Sequence, residues 1–181
     1  MITKYSHIIP ECYVDTNLVQ ILMQIKGVNH QFSCGQVTNT MQKYYANSFS
    51  IGIIDNDDIQ STYSTESEVI AESNELILCH HPGSQHYLIR IKNIMETFIL
   101  NSAVALGFTF KQLGISGGLE ELKRITKDKD SLNNPLLRSI LKTVSPAPEM
   151  QLFVRILNYL NDNRYSSSES DLKAIFAEYG F

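Results

Sequence analysis

The stretch Phe49-Ser-Ile-Gly-Ile-Ile-Asp-Asn-Asp-Asp58 is an apolar run that stops on three carboxylates. Upstream, Tyr5-Ser-His-Ile-Ile-Pro-Glu-Cys-Tyr-Val-Asp15 is a second apolar run that ends on acids. Short β-branched runs read as buried strands of an α/β sheet, and in open sheets of that kind ligands collect at the carboxyl ends of the strands. The two runs therefore predict parallel neighbouring strands that bring Glu11, Asp55 and Asp57 to one edge, with Glu11 within about 8 Å of one of the aspartates. Oxygen ligands gathered there suit Mg²⁺, which takes one or two carboxylates and fills its other positions with water and substrate phosphate. Asp-Asn-Asp-Asp is equally good turn chemistry, because these side chains bond their own backbone. At this point both readings stand.

The segments between the two runs support a βα pattern. Leu18, Ile21, Leu22 and Ile25 fall at helical spacing within residues 14–26, with Asp15 or Thr16 placed to cap the start and Gly27 to end it. A second helix is predicted over 36–46, on a stripe of Val37, Thr40, Met41 and Tyr44. Helix between strands argues for a parallel pair with a right-handed crossover. Residues 56–74 are polar and read as a loop with at most one helical turn. Strands follow at 75–81 and 86–91, joined as a hairpin through Pro82-Gly-Ser-Gln85. From Asn93 onward the pattern turns helical: Met95, Phe98, Ile99, Ser102, Ala103 and Leu106 share a face, and helices are predicted over 119–127, 135–144, 148–160 and 170–179. The expected architecture is α/β, with a mainly parallel sheet flanked by helices in residues 1–92 and an all-helical part, 93–181, packed on it.

At 181 residues the chain can bury one substantial core. Its 43% hydrophobic and 19% charged content excludes a disordered chain. A net charge of -4 excludes a general cationic coat for nucleic acid, so any such contact must rest on a local basic patch. Cys12, Cys34 and Cys79 are widely spaced and odd in number, which suits reduced thiols in the cytoplasm. No apolar run is long enough to span a bilayer, and no membrane association is expected.

Taken together, the acids form a pattern. Glu11 and Asp15 make E-x-x-x-D at a strand-to-helix junction, and a later strand delivers D-x-D at Asp55 and Asp57. Over residues 4–92 this resembles the Toprim domain of topoisomerases, bacterial primases, recombination factors and nucleases of the overcoming-lysogenization-defect type. The family's glycine after the glutamate is Cys12 here. The resemblance implies a Toprim-like (Rossmann-like) fold, with Glu11, Asp55 and Asp57 as catalytic residues holding Mg²⁺ or Mn²⁺ for phosphodiester chemistry on nucleic acid. It further implies a setting in phage defence or mobile-element biology, or else a catalytically silent module docking a partner such as an ATPase. Asp58, Asp15 and Glu96 are additional candidate metal ligands; a turn, a helix cap and a helix N-terminus explain them as well.

Other residues carry weaker signals. Cys79-His-His81 with His86 invites a zinc reading, but adjacent strand residues point to opposite faces and the spacing lacks paired ligands. His80 or His81 at the active edge is a candidate phosphate ligand or proton donor, with an ordinary polar hairpin end as the alternative. Lys123, Arg124 and Lys127, within a lysine- and arginine-rich stretch that continues to Arg138 and Lys142, are candidates for substrate binding; interleaved acids make a solvated helix face the alternative. Gly114-Ile-Ser-Gly-Gly118 matches no phosphate-binding loop and reads as a turn between helices.

Overall fold

The computed structural model describes residues 3–56 and 61–181. Its sheet has five strands: β1 (Ile8–Pro10), β2 (Ser50–Asp55), β3 (Glu68–Glu72), β4 (Leu76–His80) and β5 (His86–Ile91), in the order β1-β2-β5-β4-β3. β1, β2 and β5 run parallel, with Pro10 beside Ile53 and Asp55 beside Ile91. β4 and β3 extend the sheet antiparallel. The chain is thus α/β with a mixed sheet, and the parallel pairing expected of the strands ending at Pro10 and Ile54 is present.

Both faces of the sheet are covered, which is why its central strands read as unbroken apolar runs. On one face Ile9, Ile54, Cys79 and Leu88 pack against Cys34, Val37 and Met41 of α2 (Cys34–Tyr44). Gly52 belongs to this face, and a Cβ there would come within 2.6 Å of Leu88 and 2.8 Å of Met41, so the glycine lets α2 approach. The other face, built from Ile8, Ile51, Ile53, Leu76, Leu78, Tyr87, Ile89 and Ile91, shares one apolar cluster with the helices. These are α1 (Tyr13–Leu22), α4 (Met95–Ala105), α5 (Gly118–Thr126), α6 (Pro135–Val144), α7 (Pro148–Asn163) and α8 (Glu169–Glu178). A single turn, α3 (Thr62–Thr65), follows β2.

Two local differences from the sequence reading have clear causes. β3 lies where a loop is predicted: it is an edge strand with a register shift between Val69 and Ala71 and only Ile70 buried, so its alternation is too weak to see. α1 starts at Tyr13 with Cys12 as its N-cap, and Asp15 is the third helical residue; its Oδ2 accepts from the Cys12 amide at 3.1 Å.

Candidate metal centre at the strand edge

Glu11 immediately follows β1, and its amide donates to the Ile53 carbonyl of β2 at 3.0 Å, so the two strands end together. Its Oε2 accepts from the Asp55 amide at 3.0 Å, which brings the glutamate to the end of β2. Asp55 in turn accepts at Oδ1 from the amide of Met95, 3.0 Å away, and so caps α4. The next residue, Asn56, turns to the opposite face, where Arg90 Nε donates to its Oδ1 at 3.0 Å. Glu11, Asp15 and Asp55 each accept from a backbone amide, and together they place three carboxylates where the N-termini of α1 and α4 meet the sheet.

The electrostatics follow from that crowding. Asp15 is 0% exposed, and its Oδ1 has no hydrogen-bond partner among the described residues. Burial, then the charges of Asp55 and Glu11, push the Asp15 carboxyl well above the usual carboxylate range. Burial, followed by the Asp15 charge, also raises the Cys12 thiol, so Cys12 is no thiolate nucleophile at neutral pH. An orphaned, buried carboxylate oxygen beside two more acids is a group that a divalent cation would satisfy. Among the described residues, however, no three His, Cys, Asp or Glu side chains stand in a ready metal-holding group. Asp57 and Asp58 lie outside the described residues.

A cavity of about 400 Å³ opens beside Asp55 and is also lined by Glu96, Lys123, Thr126 and Lys127. Glu96 is buried and accepts at Oε1 from the Thr126 hydroxyl at 2.5 Å, tying α4 to the end of α5. That tie sets Lys123 and Lys127 on the cavity wall. Lys123 lies 3.4 Å from Glu120, and Lys127 makes no ion pair among the described residues. Arg124 points elsewhere: it is exposed and lies 3.9 Å from Glu121.

His80 and His81 are placed away from the acids, a correction to the expectation that one of them reaches the active edge. His80 pairs with Tyr87 while Ser50 pairs with His86, so the hairpin sits at the start of β2 and β5. Asp55 is five residues along β2, about 16 Å away. There His80 bonds the Ser84 carbonyl at 3.0 Å and His81 stacks on Tyr63 with ring centroids 3.8 Å apart.

One residue at the acidic edge has no sequence signal. His30 follows α1, in a segment whose flanking amides, Asn29 and Gln31, donate to the Ile8 and Pro10 carbonyls at 2.8 and 3.0 Å and line the open side of β1. Its ring stacks on Tyr13 at 4.4 Å, its Nδ1 lies 2.9 Å from Thr16 Oγ1, and its Nε2 is buried with no hydrogen-bond partner among the described residues. Burial lowers its pKa, outweighing the raising effect of the Cys12 backbone, so the ring is neutral at pH 7. Comparison of the chain with protein-family profiles, characterised proteins and solved structures yields no match.

Proposed function

We propose that the chain is a Toprim-like, Mg²⁺-dependent nuclease or related phosphodiester-transfer enzyme acting on nucleic acid. The observation that carries this reading is the convergence of Glu11 and Asp55 at the carboxyl ends of two parallel strands with Asp15 in the first turn of α1, its Oδ1 buried and unsatisfied among the described residues. Glu11 and Asp55 would hold the cation (Mg²⁺ or Mn²⁺), joined by Asp57 of the D-x-D pair. Such a cation supplies, when bound, Lewis-acid polarisation of the phosphate. Lys123 and Lys127 flank the cavity beside Asp55 and would orient the phosphodiester against the acids. Asp15 Oδ1 would carry a proton while no cation is bound and release it as positive charge arrives. The test is a metal titration followed by thermal unfolding, run beside cleavage of single- and double-stranded DNA and RNA. The reading expects stabilisation by Mg²⁺ or Mn²⁺ together with metal-dependent cleavage.

A second reading is favoured by a separate observation: every described acid of the cluster already satisfies a backbone amide, and those acids alone form no ready metal group. In that case the edge is structural, and the chain is a catalytically silent module that docks a partner protein such as an ATPase. It expects no metal-dependent cleavage of any substrate. A setting in phage defence or mobile-element biology belongs to the first reading alone.

A further inference from the structure

At the opposite end of α1, about 15 Å from the acidic edge by the helix's ten residues, lies a cavity of about 810 Å³. Its charged lining is Lys26, Arg138 and Lys142, with no acid among the described residues that form it. In a chain of net charge -4 this is a local reversal of sign. Arg138 and Lys142 stand four apart on α6, on the exposed face opposite the buried Leu137, Ile140, Leu141 and Val144. Like charges at that spacing repel and destabilise a helix unless an anion lies between them. None of the three cations forms an ion pair among the described residues.

The rest of the lining narrows the ligand. Ile21, Leu132 and Val154 give an apolar wall, and the amides of Gln20, Gln24 and Gln151 ring it with donors and acceptors. Gln24 is held at φ 55°, the left-handed position after a helix end that glycine fills at least strain. A side chain is therefore kept where local geometry favours none, and it lines the cavity. The absence of carboxylates argues against a metal ion. Among the described lining residues none is aromatic, which removes the stacking platform that single-stranded nucleic acid uses. What remains is a phosphate for the three cations, an apolar body for the wall and a hydrogen-bonding edge for the amides; the volume lies in the range of small-molecule sites.

We propose that this cavity binds a phosphorylated small molecule of nucleotide size, independently of the acidic edge. The experiment is calorimetric titration of the full chain with ATP, GTP and UTP in EDTA, with adenosine and inorganic phosphate as controls. The result expected is saturable one-to-one binding of at least one nucleotide, no binding of adenosine, and phosphate weaker by tenfold or more. Arg138→Ala with Lys142→Ala, both exposed, should leave circular dichroism unchanged and weaken binding at least tenfold, while Asp55→Asn should not alter it. Gln24→Gly should raise the melting temperature and weaken the nucleotide together; a residue serving only the turn would change the first alone. The proposal is overturned if no nucleotide saturates below about 1 mM, if binding survives the double substitution, or if Asp55→Asn abolishes it. Binding of a 5′-phosphorylated oligonucleotide through Arg138 and Lys142, with no nucleotide binding, would overturn the small-molecule assignment in favour of a nucleic-acid end.

Discussion

Asp55 caps α4 and is proposed to hold the cation, and one substitution can separate the two. Its Oδ1 accepts from the Met95 amide and caps α4, a contact worth about 1 kcal/mol that a neutral amide can also make. Asp55→Asn is therefore expected to melt within a few degrees of the wild type, while losing both the metal-dependent stabilisation and the cleavage. Asp55→Ala removes the cap too and should be less stable by a further ~1 kcal/mol in urea titrations. Asp15 gives a prediction with a definite pH sign. Its folded pKa is raised above the unfolded value, so the native state binds more protons across that interval, and stability falls as pH rises through it. Asp15→Asn keeps an acceptor for the Cys12 amide and removes the cost of either protonating the buried carboxyl or burying its charge. We expect it to raise the melting temperature at pH 7, by an amount that shrinks towards pH 4, and to abolish proton release on Mg²⁺ addition. A stability gain independent of pH would show that the charge is not the cause.

At the scale of elements, the strand-helix-helix-strand order was legible because the Ile-rich runs are buried on both faces and the intervening stripes keep helical period. That order sufficed to bring Glu11 to Asp55. What stayed hidden is tertiary. β3 offers one buried side chain, Ile70, between Glu68 and Glu72, and an edge strand of that kind carries no periodic signal. His30 reaches the edge because its segment runs beside β1, and no local pattern records a contact with Tyr13. The histidine pair was misplaced because hairpin residues sit at the start of β5, and only the parallel pairing of β5 with β2 says which edge that is. The close approach of α2 to the sheet rests on Gly52. Gly52→Ala is expected to displace the buried Leu88 and Met41 side chains and to cost about 1–3 kcal/mol in chemical denaturation, with the denaturant slope unchanged. A neutral outcome would mean the α2 layer is loosely packed.

For the whole molecule, the decisive fact is that one apolar cluster runs from the sheet into the helices of the second half. Ile51, Ile53, Ile89 and Ile91 share it with Phe98, Phe153, Leu157 and Phe176, and the Phe98 and Phe153 rings meet at 6.1 Å in an edge-on arrangement. Asp55 on α4, Ser73 on Glu149 of α7 at 2.6 Å, and His7 on Asn161 at 3.1 Å add polar ties between the same two halves. The helical half was legible as helices packed on the sheet, but which face they close was not, since amphipathic stripes do not name the surface they cover. Residues 1–92 alone would leave that face covered only by α1, and the acidic edge would lose the α4 terminus that holds Asp55. We therefore expect a fragment of residues 1–92 to lack a cooperative melting transition. In the full chain, Phe98→Ala is expected to destabilise sheet and helices together by about 3–5 kcal/mol, with far-ultraviolet circular dichroism and tyrosine fluorescence reporting one coincident transition. Two separated transitions would instead show that the halves fold independently, and the strand-edge site could then form without the helices that flank it.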